Sequence, residues 1–268
     1  MGVVFACTVL TSVFAGTEMY SGKEMKQVAP APLPECDFSW TGFYLGGNGG
    51  YGWTNADTDF RPLPDPATFV FLNPQSLDPN PSGFIGGGQL GYNWQWNKWL
   101  VLGIETDFQG SDIEGDDRRV GFDGFTAPGT NADRFLESHE RMQWLGTARG
   151  RIGFVPTCRL LIYGTGGFAY GNVDYSAQTN FGDTVFHGAS YPVNFTETST
   201  GWTAGGGAEY AISNHWTVKA EYLHYDLGHE SRTGSEFIAG VPQGPPFFVR
   251  YNFDTSGDIV RGGLNFKF

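Results

Sequence analysis

Apolar and polar residues alternate with a period of two in eight stretches of this chain, most cleanly in the last. From Asp258 to Phe268, Val260, Gly262, Leu264, Phe266 and Phe268 fall on one parity, and Ile259, Arg261, Gly263, Asn265 and Lys267 on the other. A two-residue period places these sets on opposite faces of a β-strand. The same reading gives strands near Thr41–Trp53, Gly83–Trp96, Leu100–Phe108, His139–Val155, Arg159–Val173, Thr200–Ile212 and Trp216–Leu227. One face of each is aromatic, aliphatic or small: Phe43, Leu45, Tyr51 and Trp53 in the first, Met142, Trp144, Gly146, Ala148, Ile152 and Phe154 in the fourth. The other face carries amides and charges.

The connections alternate too. Short turns at Asn97-Lys98, Pro156–Cys158 and Ser213–His215 lie at one end, and polar loops of about 25 to 30 residues at the other, an asymmetry typical of outer-membrane barrels. Composition supports a lipid-facing surface. Aromatic residues make up 16% and charged residues only 16%, where a soluble domain carries about 25% charge. Beyond the N-terminus no apolar run reaches the roughly 18 residues of a spanning helix, so lipid contacts must be spread through alternation. A secreted β-sandwich could share the period of two, but it rarely alternates long and short connections so regularly. The expected fold is all-β: an eight-stranded antiparallel up-and-down transmembrane β-barrel with short periplasmic turns and long extracellular loops. Aromatics beside the turns, among them Trp53, Trp96, Trp99, Trp216 and Phe268, suit interfacial girdles.

Residues 1–15 read as a signal peptide, residues 16–39 as a Pro-rich periplasmic tether with Pro30, Pro32 and Pro34, and residues 40–268 as the barrel. The apolar stretch closes on Val13-Phe14-Ala15, an approximate cleavage pattern. Its basic preamble is missing, so a start further upstream is expected. Cys7 leaves with this segment, so Cys36 and Cys158 remain as an even pair in an oxidising compartment. Both are expected on the periplasmic side. A bridge then depends on the tether closing the distance.

A net charge of −12 argues against nucleic acid as a partner. The acids gather at Asp57, Asp59, Asp65 and Asp78 and at Asp112, Glu114, Asp116 and Asp117, which are expected in solvated loops. The second group lacks the spacing and distal Glu of a calcium loop. Strand parity turns Glu105, Asp107, Arg149, Arg151, Glu209, Lys219, Glu221, Arg261 and Lys267 into the lumen. Counting from the turns sets Glu209 opposite Lys219 and Glu105 level with Arg149, as a buried charge network requires. An eight-stranded lumen is nearly filled by side chains, which favours a structural plug over the alternative, a narrow pore for ions or small solutes.

Trp40-Thr-Gly-Phe-Tyr-Leu-Gly-Gly-Asn48, Thr147-Ala-Arg-Gly-Arg-Ile-Gly-Phe154, Leu161-Ile-Tyr-Gly-Thr-Gly-Gly-Phe-Ala-Tyr-Gly171 and the Phe268 ending resemble the small outer-membrane barrels related to the OmpA transmembrane domain. They look most like the porin-family or outer-membrane immunogenic proteins of alphaproteobacteria. The resemblance covers residues 40–268. It implies a Gram-negative outer membrane as location, with lipid and lipopolysaccharide as surroundings. It also implies insertion by the barrel-assembly machinery, with Phe266 and Phe268 as the terminal signal. Roles in the family run from envelope integrity and surface antigenicity to haem binding or weak pore activity. No peptidoglycan-binding domain is expected after the barrel, and Cys36 and Cys158 lie outside the family pattern. No cofactor is expected. A haem-binding or adhesin role through the loops would draw on His187, His224 and His229, and a surface ligand would bind there. A lipid A-modifying enzyme is the remote alternative: His224 and Asp226 share a strand face, but no serine joins them within that strand.

Overall fold

The alternation runs much further along each strand than an apolar outer face would suggest. A computed structural model describes residues 37–63, 75–120, 134–181, 188–243 and 248–268. Eight long strands are present: β1 (Gly42–Leu63), β3 (Ser82–Gln95), β4 (Leu100–Val120), β5 (Arg134–Thr157), β6 (Leu160–Phe181), β7 (Ala189–Ala211), β8 (Trp216–Ser235) and β11 (Phe248–Lys267). Three short ones, β2 (Gln75–Leu77), β9 (Phe237–Ile238) and β10 (Val241–Pro242), sit within the long connections. Each long strand pairs antiparallel with the next, and β11 pairs with both β8 and β1, closing the ring. Both ends of the ring's path lie together, where the Phe268 N–H donates to the Phe43 carbonyl at 3.0 Å. The leader and all but the last residues of the tether lie outside the described residues.

Two aromatic girdles mark the apolar band. Trp94 against Trp96, Trp99 against Phe154, and Phe266 against Trp216 and Phe268 form the lower one; Tyr51 against Phe84, and Phe108–Trp144–Tyr170, form the upper. Trp144 and Phe154 are ten residues apart on β5, the length that crosses a bilayer at a barrel's tilt (about 9–11 residues). Between the girdles the outward side chains are apolar, as at Leu45, Ile104 and Ile152 (55%, 68% and 57% exposed).

Above the upper girdle the polarity of the two faces reverses while the period of two continues. Phe60, Ile113, Leu136, Tyr175, Tyr191, Tyr251 and Phe253 now point inward and are buried, and Asp57, Asp59, Asp112 and Glu114 point outward to solvent. The wall therefore behaves as a soluble protein there, with its own apolar core. This corrects the placement of the acids: Asp57 and Asp59 belong to β1, and Asp112, Glu114, Asp116 and Asp117 to β4. Asp78 does lie in a connection, and Asp65 falls outside the described residues. About ten further residues on each long strand except β3, which starts at Ser82, at ~3.3 Å each and a tilt of ~40°, carry the wall about 25 Å past the girdle.

Register shifts mark the changeover. One lies between Gly110 and Ile113 on β4, one between Met142 and Trp144 on β5, and one between Asp254 and Ser256 on β11. On β5 the extra residue switches face parity, whereas β4 and β11 keep odd-numbered residues inward throughout. Met142, expected beside Trp144, is consequently inward and 2% exposed. The β7–β8 ladder ends at Trp202 opposite Asp226, whereas β7 continues upward to pair briefly with β9 at Ala189 and Ser190. Along that upper stretch, β7 and β8 are joined by side chains instead of a backbone ladder.

Candidate functional site: the charged layer of the lumen

The lumen is layered along its axis. At the base Phe38 and Trp40 pack with Val101, Val155, Leu161, Tyr163 and Ala211, so the end of the expected tether is folded into the barrel mouth. The extracellular half is filled by the larger apolar cluster. Between them the inward positions of β4, β5, β7, β8 and β11 bring charges together.

Arg149 occupies the middle. Its Nη2 donates to Glu105 Oε1 at 2.6 Å and Asp107 Oδ2 at 2.8 Å, its Nη1 to Glu221 Oε1 at 3.1 Å, and its Nε to Thr147 Oγ1 at 2.9 Å. Arg261 joins Glu221 Oε2 and Asp107 Oδ2, with Nη2 distances of 2.5 and 2.8 Å. Lys219 Nζ donates to both oxygens of Glu105, at 2.9 and 3.1 Å. Arg151 reaches Glu209 Oε2 at 2.8 Å and lies 3.9 Å over the Tyr163 ring. Glu209 also accepts from Thr217 and Asn265. These side chains are almost wholly buried; none is more than 2% exposed in its ion pairs. Arg149, Arg151, Lys219 and Arg261 balance Glu105, Asp107, Glu209 and Glu221, four against four.

The structure thus gathers eight of the nine lumen charges read from the sequence. Lys267 does not join them. It sits half-buried at the base, its Nζ 5.5 Å over the Phe38 ring, with no carboxylate in ion-pair reach among the described residues. Parity assigns a face but not a depth, and the last inward position of β11 lies at the mouth. One pairing also differs. Glu209 and Lys219 are register partners, yet Lys219 spans the lumen to Glu105 while Glu209 binds Arg151. Arg149 and Glu105, also register partners, do form their ion pair.

Tyr44 and Tyr163 complete the layer; strand parity sets them on the inward face, but a count of lumen charges leaves them out. Tyr44 donates to Glu105 at 2.7 Å and accepts from Arg151 at 2.8 Å; Tyr163 donates to Glu221 at 3.0 Å. A signal was present, since both stand at polar-parity positions near inward glycines. The tyrosines lie over bare backbone: a Cβ at Gly91 would fall 2.3 Å from the Tyr44 ring, and one at Gly207 would fall 2.8 Å from Tyr163 Oη.

The histidines are elsewhere. His224 is outward, its Nδ1 2.9 Å from Asp258 Oδ1 and its ring 5.4 Å from Trp202; Asp226 accepts from the Gly228 N–H. His229 is exposed, and His187 lies outside the described residues. Among the described residues no cluster of three or more His, Cys, Asp or Glu side chains could hold a metal ion. Cys158 is disulfide-bonded; Cys36 lies outside the described residues.

Comparison with known proteins places this architecture. Residues 29–243 match the family model for the outer membrane protein beta-barrel domain. The 31 kDa outer-membrane immunogenic protein of Brucella melitensis is 39% identical over 244 residues, covering 90% of this chain and 88% of the relative. The 22 kDa outer membrane protein of Rhizobium leguminosarum bv. viciae is 30% identical over 190 residues, covering 70% and 64%. Among solved structures, the outer membrane protein OprG of Pseudomonas aeruginosa aligns over 86% of this chain and 98% of its own, at 10% identity and a TM-score of 0.44. With a closed eight-stranded ring, an apolar band between two girdles and these relatives, the chain belongs to the outer-membrane β-barrel protein family of Gram-negative bacteria.

Proposed function

We propose that this protein is a structural and surface component of the outer membrane, contributing to envelope integrity and surface interactions, with its lumen closed by the charge layer. The neutral set of four cations and four carboxylates, each in ion-pair contact with a member of opposite charge and buried, carries this reading. Such a set is tolerated in a low-dielectric interior only when paired. Apolar packing above and below it leaves no wet route through the described residues. A family relative is named as immunogenic, which suits a role for the extracellular half in presenting surface to the outside, with lipopolysaccharide around it and any surface ligand taken by the loops. In this reading residues 1–15 direct export, Phe266 and Phe268 serve the assembly machinery, and Cys158 pairs with Cys36. No catalytic role is assigned. Planar-bilayer recording on the purified, refolded protein tests the central claim. The expected result is a silent membrane; stable unitary conductance in wild type, abolished by substituting Arg149 or Arg261, would establish the narrow pore instead.

A further inference from the structure

One buried acid stands outside the charge layer. Glu140 on β5 is 3% exposed, inside the apolar core of the extracellular half. Among the described residues its hydrogen-bond partner is Thr255 Oγ1 of β11, at 2.9 Å. A buried carboxylate normally requires a cation or several donors, and here there is one hydroxyl. The groups around it supply no positive charge. Its register partner on β6 is Tyr175, and that on β4 is Gly115. Ser138 on β5 is bonded to Thr58 of β1. From β6 the phenol of Tyr175 and from β8 that of Tyr225 lie within electrostatic reach of it.

A continuous set of contacts leads from Glu140 to the upper stretch where β7 and β8 share no backbone ladder. Thr255 Oγ1 also lies 2.9 Å from Tyr175 Oη. The Tyr175 ring stacks on Phe195 of β7 at 5.1 Å, and Phe253 packs against both. Phe195 is capped by the Arg232 guanidinium of β8 at 4.6 Å, which Glu197 of β7 holds at 2.5 Å. Glu230 lies 3.6 Å from the same guanidinium. This is the stretch where β7 and β8 lack a backbone ladder. In this stretch the Arg232 clasp and the aromatic packing beneath it connect β7 to β8.

We infer that Glu140 is a proton-controlled element of the extracellular half: with its carboxyl protonated the β7–β8 seam stays closed, and loss of that proton loosens it. A protonated carboxyl suits an apolar core that offers one hydroxyl. A carboxylate there draws in water, disturbing the Thr255–Tyr175–Phe195 packing on which Arg232 rests. Burial pushes the Glu140 carboxyl up to about 7, with the Thr255 hydrogen bond opposing in part. Because the acid is raised in the closed state, closure is fully favoured below about pH 4.5. The advantage is lost as pH rises from there to about 7, and changes little beyond.

Hydrogen–deuterium exchange of the full-length protein in detergent micelles tests this. The measurement compares peptides over residues 191–200 and 227–235 with those from the charge layer, each rate divided by the intrinsic rate at its pH. Wild type is expected to open the seam up to about 30-fold more at pH 8.5 than at pH 5.5, with the charge-layer peptides unchanged. Glu140→Gln keeps an acceptor for Thr255 and should remove the dependence, leaving the seam closed at both pH values. Thr255→Val removes the one group favouring the carboxylate in the closed state and should move the opening to higher pH. A pH-independent seam in wild type, or the same dependence in Glu140→Gln, would overturn the inference. So would a Thr255→Val profile that does not move.

Discussion

Arg149→Met is the sharpest test of the charge layer. The substitution keeps a side chain of similar length but removes the guanidinium that joins Glu105, Asp107 and Glu221 at 2.6–3.1 Å. At an effective dielectric of about 20, each contact near 3 Å carries a gross attraction of about 5–6 kcal/mol. The desolvation of the buried ions offsets most of this. What remains measurable is the cost of stranding carboxylates without their cation, about 3–5 kcal/mol. With a urea dependence of about 2 kcal/mol per molar, the unfolding midpoint should fall by about 2 M. The assay is urea titration of the micelle-bound protein, read by the gel mobility difference between folded and boiled forms. The double variant Arg149→Met with Glu105→Gln restores equal charge, three against three, and should recover at least half the loss. A single variant costing under about 1 kcal/mol, or a double variant no better than the single, would refute the argument that mutual pairing sustains the layer.

Two further outcomes follow from the architecture. Ile104→Arg, at an outward position between the girdles, should cost about 2–4 kcal/mol, whereas Asp59→Arg, outward on the extracellular half, should stay within about 0.5 kcal/mol; the same titration separates them, and equal effects would contradict the reversal of polarity. If Cys36 is the partner of Cys158, Cys36→Ser should free the Cys158 thiol for alkylation and abolish the mobility shift on reduction, while Cys7→Ser should change neither.

Much of the ring was legible because lipid imposes a demand that local sequence can record. Between the girdles every outward residue must tolerate hydrocarbon, so β11 declares its parity from Val260 to Phe268, and the short turns fix register closely enough to set Glu105 beside Arg149. The extracellular half was hidden by the same rule. There Phe253 faces in and Asp254 out, the reverse of Arg261 and Val260 on the same strand, so a search for apolar outer faces reads it as polar loop. Met142 was misassigned because a bulge leaves no mark in composition. The partner of Lys219 could not be read either. Contacts across a lumen depend on how far a side chain reaches over the axis, and cross-strand register is silent on that.

The base of the barrel bears on more than stability. Phe38 and Trp40 sit beneath the ions and some twenty buried residues sit above them, so the polar layer lies between two apolar segments. An ion approaching from either side would have to shed its hydration shell against hydrocarbon before meeting any compensating charge. On the proposed reading of a closed lumen, rearranging the ionic contacts alone would not create a conducting path. Two apolar barriers in series would still set the permeability, and the one at the periplasmic mouth hangs on two aromatic rings at the very start of the described chain.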